Sequence, residues 1–323
     1  MEAFTPRATG LLPSDPWLKK WVVAARLPFL TASVMPVLAT AAAAWRADGS
    51  LSLGLAGLAL VGIALIHAGA NLSNDYFDHR SGADGANRFS TPFSGGSRVI
   101  QEGVVSPRAI VTAAAVCTAA GAACGIWLWL HTPGHVLLVI GGVGIATSWF
   151  YTAPPLRLVH RGVGELATMM GFGVLPALGT EWVLRGRLTL EVSWVGLPAG
   201  LLVAAILLIN EFPDREADAA AGKRTLVVRL GPRRAVAAYA LVLAATYGAV
   251  GVGVLARWMP PLAGLVVVVL PLSWRILRVL RANYADVGGL LPGMSATILQ
   301  QMLFLLILTA ACLAALALPA WAR

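Results

Sequence analysis

Residues Leu51–Asp78 read LSLGLAGLALVGIALIHAGANLSNDYFD, a run without Asp, Glu, Lys or Arg until Asp75. At 1.5 Å per residue such a run crosses a hydrocarbon layer of roughly 30 Å as a single helix. Its last two turns carry Asn71, Asn74, Asp75 and Asp78 at i, i+3, i+4 and i+7, so a helix that persists through them presents two amides and two carboxylates on one face. The pattern returns where another apolar run ends in Asn210-Glu211-Phe212-Pro213-Asp214-Arg215-Glu216-Ala217-Asp218, with Asn210, Asp214 and Asp218 at i, i+4 and i+8. Carboxylates are costly in hydrocarbon, so acids placed where membrane runs end face a cavity and mark a functional path.

The whole chain has this character. Of its 323 residues 58% are apolar and 12% charged, with a mean hydropathy of +0.76, whereas a soluble domain carries roughly a quarter charged residues. Long uncharged stretches recur at 21–45, 51–76, 107–130, 134–151, 163–183, 192–212, 234–256, 260–281 and 294–319. The expected fold is therefore an all-α integral membrane bundle of about nine transmembrane helices. It forms one domain over 21–319, preceded by a polar segment over 1–20. That segment lacks the basic start and short apolar core of a cleaved signal peptide. Cys117, Cys124 and Cys312 all lie in apolar stretches without CxxC spacing, which suggests packing rather than a disulfide framework or a thiolate metal site.

Charge placement sets the expected orientation. With a cytoplasmic N-terminus, 19 of the 24 Lys and Arg residues fall on the cytoplasmic side, and only Arg46, Arg185, Arg187, Arg257 and Arg323 fall on the other. This asymmetry explains the net charge of +9 without nucleic acid as a partner. Both acidic clusters adjoin long loops on the basic side, 77–106 and 213–233, so the site is expected there under a cap of loops. The repetition of a helix running into an acidic loop suggests a duplicated unit.

Two facing acidic stripes suit Mg²⁺, which prefers oxygen ligands and binds through a few carboxylates together with phosphate oxygens and water. Asp75, Asp78, Asp214 and Asp218 are the expected metal ligands, with Asp84 beside them and Asn71, Asn74 and Asn210 orienting that shell. Pro213 is expected to end or kink its helix. A diphosphate also needs cations, and Lys223, Arg224 and Arg157 are the candidates, followed by Arg80, Arg88, Arg98 and Arg161. Stabilising a departing diphosphate in this way would let an allylic carbon–oxygen bond break, with the apolar bundle holding an isoprenoid tail. Tyr151 is a candidate to hydrogen-bond the leaving group or border the carbocation.

The plainer alternatives are solvated loops or helix caps for the acids and topology alone for the basic residues. Two clusters of matching spacing on one side weigh against the first. His67, one turn before Asn71, reads first as a buried hydrogen-bonded histidine and second as a cavity residue. Trp127, Trp129, Trp149, Trp182 and Trp194 read as interfacial anchors. The loop 79–104, with Gly82, Gly85, Gly95 and Gly96, is the expected cover of the site.

At these residues the chain resembles the UbiA superfamily of intramembrane prenyltransferases. Arg26-Leu-Pro28 with Pro36 is similar to its opening segment, and NDYFDHRSGAD (Asn74–Asp84) to its first Asp-rich motif. Tyr151-Thr-Ala-Pro-Pro155 with Arg161-Gly-Val-Gly-Glu165 is similar to its middle segment, and DREADAAAGKRTLVVRLG (Asp214–Gly231) to the second motif and its tail. The resemblance implies nine helices around a central cavity, Mg²⁺-dependent binding of a polyprenyl diphosphate by both motifs, and an aromatic acceptor. It adds Arg26 to the substrate-binding candidates and implies the bacterial cytoplasmic membrane. Asn74–Asp84 and Ala221–Leu226 are closest to the branch that prenylates 1,4-dihydroxy-2-naphthoate in menaquinone synthesis. Glu211 and Pro213 depart from that branch's NNxRD pattern. Phe93–Gly103 argues against the 4-hydroxybenzoate, haem and chlorophyll branches. An ion-coupled transporter is the competing class, but its site would lie nearer the bilayer midplane. An inactive relative that only binds lipid diphosphates is a third reading.

Overall fold

The structure, a computed structural model, describes residues 9–86 and 91–317. Arg7, Arg88 and Arg323 lie outside the described residues. Among the described residues, seven helical segments are long and apolar enough to cross a membrane: Leu27–Asp48, Leu53–Ser81, Pro107–Leu130, Leu190–Ala220, Pro232–Leu255, Pro261–Asn283 and Val287–Leu316. The chain is an integral membrane protein. The other two expected spans fall on shorter or interrupted elements. The segment at 134–151 is the 15-residue helix α6, and that at 163–183 is α7 and α8 joined by a π turn.

In chain order, α1 (Trp17–Ala24) precedes a 3₁₀ turn (Leu27–Leu30) and α2 (Thr31–Asp48). The expected span at 21–45 is thus divided. Arg26 sits at the break with a left-handed φ of 51°, and the membrane helix begins after it. Then come α3 (Leu53–Ser81), α4 (Ala83–Ala86), α5 (Pro107–Leu130), α6 (Val136–Phe150), α7 (Gly164–Met169), the π turn Met170–Val174 and α8 (Leu175–Arg185). The second half holds α9 (Leu190–Ser193), α10 (Gly196–Ala220), α11 (Leu226–Leu230), α12 (Pro232–Leu255), α13 (Leu270–Asn283) and α14 (Val287–Leu316).

Small residues set the packing. Bundles in lipid associate through close backbone approach and shape rather than hydrophobic contrast. Ala39, Ala42 and Ala43 of α2 meet Ala199 and Leu202 of α10 and Phe304, Leu305 and Leu308 of α14 in the main core. The α3–α5 pair closes over Gly62, Gly69 and Gly121, and a Cβ on Gly121 would come 2.9 Å from the Gly62 carbonyl oxygen. The π turn lies still closer to α10, because a Cβ on Gly173 would stand 2.2 Å from Gly200 Cα. A π turn widens one helical turn and recurs at functional sites.

Two expectations need correction. Pro213 does not end its helix, since α10 runs through it to Ala220; the rest of the helix and its packing hold the segment helical despite one missing donor. Of the tryptophans, Trp149 packs edge-on against Phe77 at 6.0 Å, and Trp194 joins the main core with its ring N–H 2.8 Å from the Ala249 carbonyl oxygen. These two act as packing residues, because their positions near span ends coincide with helix crossings.

Candidate active site

The stripe on α3 persists as its spacing requires, because the helix continues to Ser81 before Gly82 caps it at φ 81°. Asp75 and Asp78 are buried, 2% and 6% exposed. Asp75 pairs with Arg26 and accepts the Ser97 N–H, whose nitrogen is 3.3 Å from each carboxylate oxygen. Asn71 Nδ2 donates to the Ala25 carbonyl at 3.0 Å, and Asn74 Nδ2 to Asp78 Oδ2 at 3.2 Å. The asparagines thus fix the break before the first membrane helix and one of the carboxylates.

The segment 91–98 lies across both stripes. Gly95 N–H donates to Asp214 Oδ2 at 3.1 Å, Asn210 Nδ2 donates to the Phe93 carbonyl at 2.9 Å, and Ser97 reaches Asp75. Part of the expected covering loop is therefore hydrogen-bonded onto the acids; residues 87–90 lie outside the described residues. Gly96 has φ 79°, and a Cβ there would meet the Asp84 carboxylate at 3.0 Å, so only glycine brings the backbone this close without strain.

One lysine joins the two halves. Lys223 Nζ is 3.0 Å from Asp78 Oδ2 on α3 and 3.4 Å from Asp218 Oδ1 on α10. Burial works against its ammonium, but Asp78 and Asp218 outweigh that penalty and hold its pKa above the ordinary lysine value. Asp84, buried on α4, shows the opposite effect. Burial, then the negative charge of Asp78 and Asp75, push its pKa up to about 8, while Gln101 Nε2 donates to its Oδ2 at 3.0 Å.

The expected cations separate. Arg26 and Lys223 reach the carboxylates, and Arg98 donates to the Asp84 main-chain carbonyl. Arg157 and Arg224 are exposed. Arg80 lies over the Tyr76 ring, and Arg161 ties its own loop through the Leu156 carbonyl at 2.6 Å. Sequence reasoning missed the backbone donors of Gly95 and Ser97. It also missed that the buried carboxyls of Glu165 and Glu211 accept the Leu226 and Val227 N–H groups at 2.6 and 3.3 Å. Glu165 in an apolar stretch was an available signal, whereas Glu211, seven residues before Asp218, read as part of the second acidic stripe.

The polar groups open into an apolar cavity of about 540 Å³. Arg26, Asn71, Asn74, Tyr151 and Asn210 line one end, and Leu128, Leu137 and Val183 the other. Ala59 and Asn74 both line it, so it follows α3 for about 22 Å. Its width comes from missing side chains, since Gly125, Gly141, Gly142 and Gly144 line it and have nothing within 4 Å of an added Cβ. His67 fulfils both of its readings: it is buried, with Nδ1 2.9 Å from Ser33 Oγ, and its ring lines the cavity edge-on to Phe172.

For a metal, the donor chemistry is suitable. Asp75, Asp78, Asp84 and Asp218 lie around Lys223 and Arg26, with Asp214 beside Asp218, all offering hard oxygen ligands. Among the described residues no three His, Cys, Asp or Glu side chains gather closely enough to hold an ion unaided. That spread fits Mg²⁺ held by one or two carboxylates, the remaining ligands coming from phosphate oxygens and water.

The sequence profile of the UbiA prenyltransferase family matches residues 33–291. The chain belongs to the UbiA prenyltransferase family. It is a prenyltransferase, which removes the transporter reading. The 1,4-dihydroxy-2-naphthoate octaprenyltransferase of Mycobacterium tuberculosis is 36% identical over 220 residues, 67% of this chain and 71% of the relative. The Mycobacterium leprae protein of the same name is 32% identical over 269 residues, 82% and 86% of the two chains. Among solved structures, a UbiA homologue from Archaeoglobus fulgidus bound to DMAPP and Mg²⁺ superposes with a TM-score of 0.64 at 15% identity, covering 91% of this chain and 99% of that one. The UbiA fold is shared well beyond the reach of the sequence.

Proposed function

We propose that this UbiA family member transfers a polyprenyl group from an allylic diphosphate to 1,4-dihydroxy-2-naphthoate, with Mg²⁺, at the cytoplasmic face of a bacterial membrane. The catalytic unit is the single domain over 21–319. The observation that carries the reading is two carboxylate stripes joined through Lys223 at the mouth of a long apolar cavity. The relatives' names supply the acceptor.

In this reading the isoprenoid tail lies along α3, α5 and α6, and the diphosphate sits over Asp75, Asp78, Asp214 and Asp218. Mg²⁺, when bound by these carboxylates, neutralises the diphosphate and makes it a better leaving group. Lys223 and Arg26 supply further charge, and Arg26 has a buried Nε with no hydrogen-bond partner among the described residues. The walls around Tyr151 and Phe172 exclude water from the allylic cation, and the aromatic faces stabilise it. The acceptor carbon bearing the carboxylate forms the new carbon–carbon bond, diphosphate departs, and loss of carbon dioxide restores the aromatic ring.

The test is product formation by the purified chain in detergent with Mg²⁺, a long polyprenyl diphosphate and either 1,4-dihydroxy-2-naphthoate or 4-hydroxybenzoate, resolved by mass spectrometry. A prenylated naphthalenediol with loss of carbon dioxide is expected. Product from 4-hydroxybenzoate alone would refute the acceptor. Asp78→Ala and Asp214→Ala should remain folded and lose turnover; full activity in either would remove that residue from the metal site.

A further inference from the structure

Glu165 on α7 and Glu211 on α10 are buried, 9% and 4% exposed, and neither belongs to the aspartate stripes just described. Both lie against the start of α11. Each also takes one backbone donor from α11: Leu226 N–H reaches Glu165 Oε1 at 2.6 Å, and Val227 N–H reaches Glu211 Oε2 at 3.3 Å. These are the first two N–H groups of α11, which have no acceptor within their own helix. The third, Val228 N–H, goes to the Thr225 hydroxyl. Two carboxyl oxygens from separate helices thus hold the first turn of α11.

Lys223 lies three residues before Leu226. On its other side the Lys223 N–H closes the end of α10 through the Asp218 carbonyl at 2.8 Å. Beside it the Arg224 N–H meets the Val159 carbonyl at 3.4 Å, and the lysine is thus carried on a short connection held at one end by α10 itself and at the other by the two glutamates. A neutral cap would satisfy the N–H groups of a five-residue helix. Two buried carboxyls from separate helices additionally tie α7 to α10 and fix where the connection passes.

We propose that Glu165 and Glu211 are positioning residues, a latch that holds the Ala221–Leu226 connection so that Lys223 stands between the two acidic stripes and meets the substrate diphosphate. The inference deepens the transferase reading and rests on it for the identity of the diphosphate.

Binding of inorganic pyrophosphate with Mg²⁺ to the purified full chain, followed by calorimetry, reads the latch without turnover. Hydrogen exchange of the 224–228 amides reads it without any ligand. Glu211→Leu should weaken pyrophosphate binding about tenfold, the scale of one mispositioned charged hydrogen bond, and speed exchange at Leu226 and Val227. Glu211→Gln, whose amide oxygen can still accept the Val227 N–H, should stay within about twofold of the parent. A Glu211→Leu/Lys223→Met double variant should bind no more weakly than Lys223→Met alone, as required if the glutamate acts through the lysine. If Glu211→Leu does not fold, Glu165→Leu carries the same comparison. Unchanged affinity and exchange in the leucine variant, or a loss that adds in full to that of Lys223→Met, would overturn the latch. Parent protein that binds Mg²⁺ and pyrophosphate but prenylates neither acceptor would sink the transferase substrates and leave the latch standing.

Discussion

Lys223→Met removes one charge while keeping most of the apolar stem. The ammonium lies 3.0 Å from an Asp78 oxygen and 3.4 Å from an Asp218 oxygen, so those two oxygens are within 6.4 Å of each other, the sum of the distances. With the lysine gone, two carboxylates at that separation repel by at least about 2.6 kcal/mol at an effective dielectric constant of about 20. The side chains of Lys223, Asp78 and Asp218 are 11%, 8% and 11% exposed, so water gives little relief. Removing one partner of a buried ion pair typically costs about 3–5 kcal/mol, and the repulsion, a lower bound, comes close to that range. In detergent with EDTA the variant should therefore unfold at a clearly lower temperature than the parent.

A divalent cation held by Asp78 and Asp218 replaces the missing charge, so adding Mg²⁺ should raise the unfolding temperature of Lys223→Met more than that of the parent. Ligand that binds only the folded state stabilises it by mass action. The same variant should bind pyrophosphate about tenfold more weakly, because its charged contact is lost. The signs thus oppose: greater stabilisation by metal, weaker diphosphate binding. An identical deficit with and without Mg²⁺ would refute Asp78 and Asp218 as metal ligands. No deficit in EDTA would refute the claim that Lys223 neutralises them.

Asp84 gives a pH prediction. Its carboxyl has a folded pKa of about 8 against an ordinary 3.8, so between those values the folded chain holds a proton that the unfolded chain releases. Its contribution to stability is full below about pH 4 and is lost as pH rises toward 8. Unfolding scans in EDTA from pH 5 to about 8.5 should show this decline, and Asp84→Asn should flatten it; a parallel decline in the variant would refute the assignment. Gly173→Ala should destabilise by about 1–3 kcal/mol or more, since its Cβ would land 2.2 Å from Gly200 Cα. Gly57→Ala, with nothing within 4 Å, should be neutral or gain up to about 1 kcal/mol; equal unfolding temperatures for the two variants would contradict the close helix crossing. Gly141→Phe puts a ring in open space on the cavity wall and should shorten the longest donor used while sparing a short one, as competition between donors of different length would reveal.

What the sequence made legible follows from periodicity. Apolar length marks membrane helices, and i, i+4 spacing places Asn71, Asp75 and Asp78, or Asn210, Asp214 and Asp218, on one face without knowledge of the rest of the fold. Pairings between distant segments carry no such period. Nothing local distinguishes Arg26, which pairs with Asp75 across 49 positions, from the exposed Arg157. Nor does it distinguish Lys223 from its neighbour Arg224, which points to solvent. Gly95 and Ser97 contribute main-chain donors, and a main-chain donor leaves no mark in residue type.

The missed cations and donors share one cause, and it indicates where such a site becomes readable. Every buried backbone N–H needs an acceptor, so a short connection beside a buried charge is fixed by whatever accepts its N–H groups. Around Lys223 those acceptors include the Asp218 and Val159 carbonyls, the Thr225 hydroxyl, Glu165 and Glu211. Two of these five are buried glutamate side chains. A buried acid that accepts N–H groups from such a connection is thus evidence that the connection is clamped, and its cations are the ones to test for a place in the site. By that argument Glu165 and Glu211 mark the Ala221–Leu226 connection, and burial then separates Lys223, which meets Asp78 and Asp218, from the exposed Arg224.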